Sequence, residues 1–412
     1  VGEDGEELVT LGERTGVVLS GGGADGAYEV GVLKALTHGV SPATGYRPVD
    51  PEVYTGTSVG AFNAAYMASR PGRPATAVTA ELDEIWMRRV ANTPLGCGNG
   101  VFRVRGLPLQ FLDPGCLLRP FQILTNSVKD SVDLAAFSAV KGAQFVASDT
   151  SLQSRLLSLI DLQAFISPRP IDHLVTDEVS LEGLRRSDKR LTIAASNWEL
   201  GVLRLFSKDE IVDTVGTDAI LASAAIPGIF APVSIGGVPY VDGGVLLNTP
   251  LLPAIREGAT TIHVIFLDPL LPEVRLKPLP STLDTAWRML AIMWASSMRK
   301  DILNAAAVNL ALEVLKHGLP ESAVQGEERT LLHVAGQMYR RLIEGGGRPY
   351  RELTVHIFRP RSALGEGEGI LDFQSARLRW IVDMGYRDAI HHDCAAEGCV
   401  LPGRHTGQEG DR

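Results

Sequence analysis

The sequence predicts an α/β protein, a three-layer α/β/α sandwich with a mainly parallel central sheet, followed by a mostly helical C-terminal extension. Three observations carry this. Short apolar runs alternate with segments of helical period. The first two of these runs lead through glycine-rich turns straight into apolar helices. Thr261–Leu267 (TIHVIFL) is an almost unbroken apolar run, as an inner strand covered on both faces requires.

Along the chain, Thr15–Ser20 reads as a strand, Ala27–Leu36 as a helix, Glu52–Thr55 as a second strand, and Val59–Ala68 as an Ala-rich buried helix. Leu82–Val90 continues as helix, Asn92–Pro120 is a Gly- and Pro-rich loop, and helices occupy much of Phe121–Leu184. Leu191–Ser196 and Val202–Phe206 pair around a turn at Leu200-Gly201, and Thr217–Ala225 is a small-residue helix. Pro269, Pro272, Pro278 and Pro280 break the chain. Beyond them Leu283–Leu315, Thr330–Ile343 and Phe373–Ile390 read as helices and Leu353–Phe358 as a strand. The expected organisation is a main α/β domain over 15–268, a mostly helical region over 281–392 packed on it, and flexible termini at 1–14 and 402–412.

With 412 residues, 45% hydrophobic and 21% charged, the chain can bury a large core. A net charge of −9 gives no global attraction to nucleic acid, and no nucleic-acid partner is expected. No apolar run reaches the ~18 residues of a membrane span, and the acidic start (Glu3, Asp4, Glu6, Glu7) is not a secretory signal. The default reading is a soluble, cytoplasmic protein, although the first residue is Val1 and not Met. The Met- and Trp-rich segment Trp287–Met298 fits a core helix better than a peripheral membrane contact. Four cysteines do not suggest a disulfide framework. His391, His392, Asp393 and Cys394, followed by Cys399, are metal-binding residue types. A C-x4-C beside two histidines in a polar tail is nevertheless a weak signal, and incidental solvated residues are the expected reading. Neither a metal nor a cofactor is expected, and calcium is not implied because no loop carries spaced carboxylates.

The strongest chemical signal is Gly56-Thr57-Ser58-Val59-Gly60, a G-x-S-x-G between a strand and a helix. A nucleophilic serine needs a strained turn that lifts its hydroxyl above the sheet, with glycines where backbones come close. The helix that follows points its positive end at the reacting atoms. Gly21-Gly22-Gly23-Ala24-Asp25-Gly26 also lies between a strand and a helix. It satisfies G-x-G-x-x-G, but a dinucleotide loop needs an acidic residue roughly 20 positions on, and Gly39–Gly45 has none. An oxyanion hole built from consecutive amides fits better, and a purely structural turn stays open. Asp242-Gly243-Gly244 is weak alone, because an Asp in a glycine turn often only caps its own backbone.

Taken in order, the glycine loop at 21–26, G-T-S-V-G at 56–60 and D-G-G at 242–244 resemble the patatin-like phospholipase family, bacterial type. Ser223-Ala224-Ala225-Ile226-Pro227, Phe230, Pro232, Asn248 and Pro250 fit the same pattern. The resemblance covers about 15–268 and implies a lipid acyl hydrolase with a catalytic dyad. Ser58 would attack an ester, Asp242 would take its proton, and amides of Gly22, Gly23 and Ala24 would hold the oxyanion. Gly21, Gly26, Gly56, Gly60, Gly243 and Gly244 would complete the motifs, and the partner would be a lipid or ester substrate. One departure is Asp25, where the family usually has Arg or Lys. Two rivals remain: a Ser-Asp-His esterase and a non-catalytic lipid-binding protein on the same fold. The first needs a late loop histidine, whereas His263 and His356 fall in apolar strands and read as satisfied core residues, and His391 and His392 close a helix. The second is opposed by intact Ser58 and Asp242.

Overall fold

The computed structural model describes residues 14–92, 98–105, 116, 120–147, 166–267, single positions scattered between 285 and 312, and 351–362, 364 and 367–402. Expected features at 1–13, Pro269–Pro280, Thr330–Ile343 and 403–412, and most of Leu283–Leu315, lie outside the described residues.

The central sheet has eight strands among the described residues. β1 (Arg14–Leu19), β2 (Val53–Thr57), β5 (Arg190–Asn197), β9 (Ala259–Ile265) and β10 (Thr354–Phe358) run parallel in the order β10-β9-β1-β2-β5. β3 (Arg103–Val104) and β4 (Ile166–Ser167) form a separate small ribbon. β6 (Val202–Ser207) pairs antiparallel with β5 over the same residues that face β2 and β8 (Val238–Asp242). A strand has two edges, so β6 takes one edge of β5 while β2 and β8 share the other, end to end. β7 (Val233–Ile235) extends β8 as a hairpin. The sequence reading missed β7 and β8: the first has only three residues, the second carries Pro239, and Gly236-Gly237 turns the chain between them.

Alternate residues of the strands feed two cores, as the period of two requires. Val17, Leu19 and Ile265 pack with α1 (Ala27–Thr37), α2 (Val59–Ala68), α3 (Ala75–Ile85) and the C-terminal helix Ser375–Ile390. Val18, Ile262, Val264 and Val355 pack on the other face with Leu251 and Ala254 of the short helix Leu251–Arg256. The three-layer expectation therefore holds. The C-terminal helix lies against α1 at backbone contact: a Cβ on Gly385 would meet the Tyr28 carbonyl at 2.1 Å.

Further helices run over Pro120–Ala147, Arg169–Glu178, Leu181–Arg186 and Asp218–Ser223. No helix among the described residues is long and apolar enough to cross a membrane. Met289 and Ile292 are exposed, so the core reading fails for these two; Trp287, Leu290, Met293, Trp294 and Met298 lie outside the described residues.

Two expectations about cysteine and histidine need correcting. Cys116 is disulfide-bonded, whereas Cys394 and Cys399 are free. The tail residues are not incidental solvated groups either. His392 and Cys399 are buried and Cys394 half-buried, because the chain turns back after the last helix and pairs Val400 with Val355 on the edge of β10. His391 and Asp393 stay outside, the His391 ring against the Arg387 carbonyl.

Candidate active site

The junction of β2 and β8 on β5 decides where the two candidate side chains meet. Thr57 pairs with Ala194 and Asp242 pairs with Ala195. The upward run of β2 and the downward run of β8 thus end at neighbouring positions of one strand, and Ser58 and Asp242 face each other there. Gly243 has to be glycine at this junction, since a Cβ would lie 2.2 Å from the Ala194 carbonyl.

Ser58 has φ 55° and ψ −124°, one of two non-glycine residues with positive φ among those described. Such a conformation costs on the order of 1–3 kcal/mol and persists only where the surroundings impose it. Here its amide donates to Ser223 Oγ at 2.8 Å, and Ser223 Oγ donates to the Ala194 carbonyl at 2.6 Å. The two glycines of the elbow are set by contact: a Cβ on Gly56 would meet the Gly60 carbonyl at 2.3 Å, and one on Gly60 the Leu19 carbonyl at 2.5 Å. Sequence reading placed Ser223 only as part of a resembling stretch. Its role as the clamp of the elbow comes from the fold.

Asp242 is buried, and its Oδ1 accepts from the Gly244 amide at 2.7 Å. Desolvation pushes its carboxyl up to about 7, against the opposing pull of hydrogen bonds from the Ser58 hydroxyl and the Gly244 amide. A carboxyl so poised shares its proton near neutral pH and is a far better base than a solvated aspartate.

The glycine loop faces this pair. Gly21 and Asn248 exchange hydrogen bonds, amide to carbonyl at 3.1 Å and Asn248 Nδ2 to the Gly21 carbonyl at 3.2 Å. Ser20 Oγ and Thr249 Oγ1 lie 2.8 Å apart, so both strand ends are laced together. A short 3₁₀ turn over Gly23–Gly26 follows. Among the described residues none accepts from the amides of Gly22, Gly23 or Ala24, the donors a helical start leaves free.

Asp25 is held by Arg377 of the C-terminal helix, whose Nη2 lies 2.6 Å from Asp25 Oδ1. Burial still lifts Asp25 to about 6, with Arg377 acting in the opposite direction. The same guanidinium donates to the Asp372 and Leu364 carbonyls at 2.9 Å each. A cation therefore does stand at this loop, carried on the C-terminal helix and not in the loop itself. The segment before that helix also reaches the site, because a Cβ on Gly23 would meet the Ile370 carbonyl at 2.3 Å.

Two cavities open at Ser58. One is lined by Gly21, Gly22, Gly23, Ser58, Asp242, Asn248 and Ile370. The other runs from Ser58 along Val59, Phe62, Trp86, Leu174, Ile220, Phe230 and Phe373, an almost wholly apolar tube. Val101 lines it and Phe102 packs edge-on to Phe373 at 5.9 Å; 106–115 and 117–119 lie outside the described residues. No histidine among the described residues lines either cavity.

Among known proteins, 49 residues of this chain are 47% identical to the uncharacterized protein YjjU of Escherichia coli K12, a stretch that spans 12% of this chain and 14% of YjjU. The crystal structure of VipD from Legionella pneumophila aligns over 90% of this chain and 67% of its own, at 13% identity and a TM-score of 0.34. The patatin-like phospholipase family model matches residues 17–255, a span that includes the glycine loop, the elbow and the D-G-G turn. That span is more than half of the chain, and the protein belongs to the patatin-like phospholipase family.

Proposed function

We propose that this chain is a lipid acyl hydrolase that works through a Ser58–Asp242 dyad and an acyl-serine intermediate. The observation that carries the reading is the position of Ser58. It stands in a strained turn, beside a carboxyl that burial pushes up to about 7, and at the shared mouth of a glycine-lined cavity and an almost wholly apolar tube.

Asp242 takes the hydroxyl proton as Ser58 Oγ bonds to the ester carbonyl carbon. The carbonyl oxygen becomes an oxyanion against the free amides of Gly22, Gly23 and Ala24. Each such donor is worth about 10²–10³ in rate. Collapse breaks the bond to the alcohol, which leaves with the proton from Asp242. Water then attacks the acyl-serine and passes a proton to Asp242. Ser58 Oγ leaves with that proton, and the fatty acid is released. The acyl chain lies in the apolar tube, which explains a lining of Phe, Trp, Leu and Ile with almost no polar surface.

A Ser-Asp-His triad finds no support here, since no described histidine lines the cavities at Ser58. The test is labelling by a fluorophosphonate probe in the native protein, Ser58→Ala and Asp242→Asn, each shown to be folded. Labelling that vanishes with Ser58→Ala and falls sharply with Asp242→Asn is the expected result. A folded native protein that does not label would sink the hydrolase reading and favour a lipid-binding role.

A further inference from the structure

At the far edge of the sheet, four side chains of metal-binding type converge. His356 comes from β10, His392 from the turn after the last helix, and Cys394 and Cys399 from the two ends of a tight loop. Their ligand atoms all lie within 4.8 Å of one another. Cys394 Sγ is 3.4 Å from His356 Nδ1 and 3.4 Å from His392 Nε2, and Cys399 Sγ is 3.3 Å from His392 Nε2. A tetrahedral zinc with bonds of about 2.3 Å to sulfur and 2.0–2.1 Å to nitrogen requires sulfur–nitrogen edges of about 3.5 Å. Three edges of that polyhedron are already in place.

The loop that carries the cysteines is built to hold them. Asp393 Oδ1 accepts from the Ala395 amide at 2.9 Å, the Cys399 amide reaches the Cys394 carbonyl at 3.0 Å, and Gly398 reverses the chain at φ +72°. Val400 then exchanges two hydrogen bonds with Val355, at 2.7 and 2.9 Å. The next free amide on that edge, Ile357, donates to Cys399 Sγ at 3.2 Å. An amide aimed at a cysteine sulfur is the outer contact that stabilises a thiolate ligand.

We propose that His356, His392, Cys394 and Cys399 bind one zinc ion in a closed, four-coordinate site that fastens the end of the chain to the edge of the sheet. Two thiolates with two imidazoles suit zinc above harder divalent ions. As the ion enters, each cysteine loses its proton to solvent. Two thiolates offset the two positive charges, and the neutral unit that results sits beside the apolar cluster of Val355, Ile357 and Val400 without a stranded charge. Four protein ligands leave no position for water or substrate, so the ion is structural. β10 is also three strands away from β2 and its elbow. The site covers the free edge of β10, which would otherwise offer unpaired amides to another chain.

The experiment is metal analysis of the full chain purified under reducing conditions with no metal added. About one zinc per chain is expected, released when a mercurial blocks the thiols. Content falls at least roughly tenfold in Cys394→Ser/Cys399→Ser and in His392→Ala, and stays unchanged in His391→Ala, whose ring points outward. Should those variants misfold, the native protein decides alone. Cobalt(II) exchanged into it must give thiolate charge-transfer absorption and the intense visible bands of a tetrahedral ion. A folded, reduced native protein that holds no zinc and gives no such cobalt spectrum overturns the proposal. So does a Cys394–Cys399 disulfide in that preparation.

Discussion

The elbow at Ser58 and the His/Cys edge at β10 are both meeting points of distant chain segments on one sheet, yet they are held by different means. Ser58 and Asp242 are brought together by backbone geometry: two strands ending head to head on β5, glycines at van der Waals limits and a strained φ. His356, His392, Cys394 and Cys399 meet through side chains on a strand edge and a short loop, where backbone contacts are few. The proposed catalytic groups thus stand at the centre of the sheet. The proposed metal ligands stand at the edge of the sheet, where a short return of the chain, the Val355–Val400 pair and Arg361 hold the segment. A substitution at the centre should alter rate, whereas one at the edge should alter persistence of the fold.

The largest effect on rate belongs to the dyad. Asp242→Asn should lower the rate of fluorophosphonate labelling by roughly 10³–10⁴, with Ser58→Ala at background. In the native protein the labelling rate should rise about tenfold per pH unit up to a midpoint near 7 and level off above it, because only ionised Asp242 accepts the proton. Stability runs the other way. The folded state holds the Asp242 proton more tightly than the unfolded chain. The resulting stabilisation is full below the unfolded pKa near 3.8 and is lost as pH climbs through about 7. Asp242→Asn removes the cost of the buried charge, so at pH 8 it should be more stable than the native chain by on the order of 2 kcal/mol in urea unfolding. A rate that ignores pH between 5 and 8 would remove Asp242 from the role of base.

The same contrast explains what was legible in the sequence. Glycine marks points where backbones touch, so Gly56, Gly60 and Gly243 announce the centre of the site beside Ser58 and Asp242, although the carbonyls that Gly60 and Gly243 meet, of Leu19 and Ala194, lie on distant strands. The periodicity of apolar residues is a local signal, and α2 falls at Val59–Ala68, the span its sequence indicates. What could not be read is long-range convergence. His356 sits in an apolar strand 36 residues before His392, and only the return of Val400 to Val355 brings the cysteines to it. His391, one residue from a proposed ligand, faces outward, so two adjacent histidines gave no usable spacing. Arg377 was equally hidden. Asp25 looked like a loss of positive charge from the glycine loop, and the compensating guanidinium lies 352 positions on.

Filling the apolar tube gives the next largest effect. Ala224→Phe puts a ring into the space beyond Ser58 that Ile226 and Phe230 line. Hydrolysis of long-chain p-nitrophenyl esters should drop by about tenfold to a hundredfold, while acetate and butyrate esters keep their rates. Equal loss at every chain length would mean that the tube does not take the acyl group. A smaller effect is expected from Arg377→Ala, which leaves Asp25 buried with no cation and pushes its carboxyl further up. Arg377 positions the glycine loop without touching the reacting atoms, so labelling should slow about tenfold. Asp25→Asn/Arg377→Ala should recover part of that loss, because a neutral pair leaves no charge to desolvate. No recovery would mean that Arg377 acts through its bonds to the Asp372 and Leu364 carbonyls instead.

The smallest effect on rate, below about twofold, is expected from removing metal at the edge, and this asymmetry is the sharpest form of the comparison. Zinc contacts none of the groups at Ser58, and β9 and β1 separate β10 from β2. Fluorophosphonate labelling at 25 °C should therefore survive dialysis against a strong chelator. The folded state nevertheless loses whatever binding free energy the ion contributed, since the unfolded chain offers no preformed site. The melting temperature should drop by about 5 °C or more and return on addition of one equivalent of zinc. Proteolysis should report the same change first at the chain end, where residues 391–402 hold to the sheet by the Val355–Val400 bridge and the ligand set. Labelling that collapses in step with metal loss at a temperature where the protein stays folded would mean that centre and edge are coupled, with the C-terminal helix as the physical link. That helix begins beside Asp25 through Arg377 and ends one residue before the turn that carries His392.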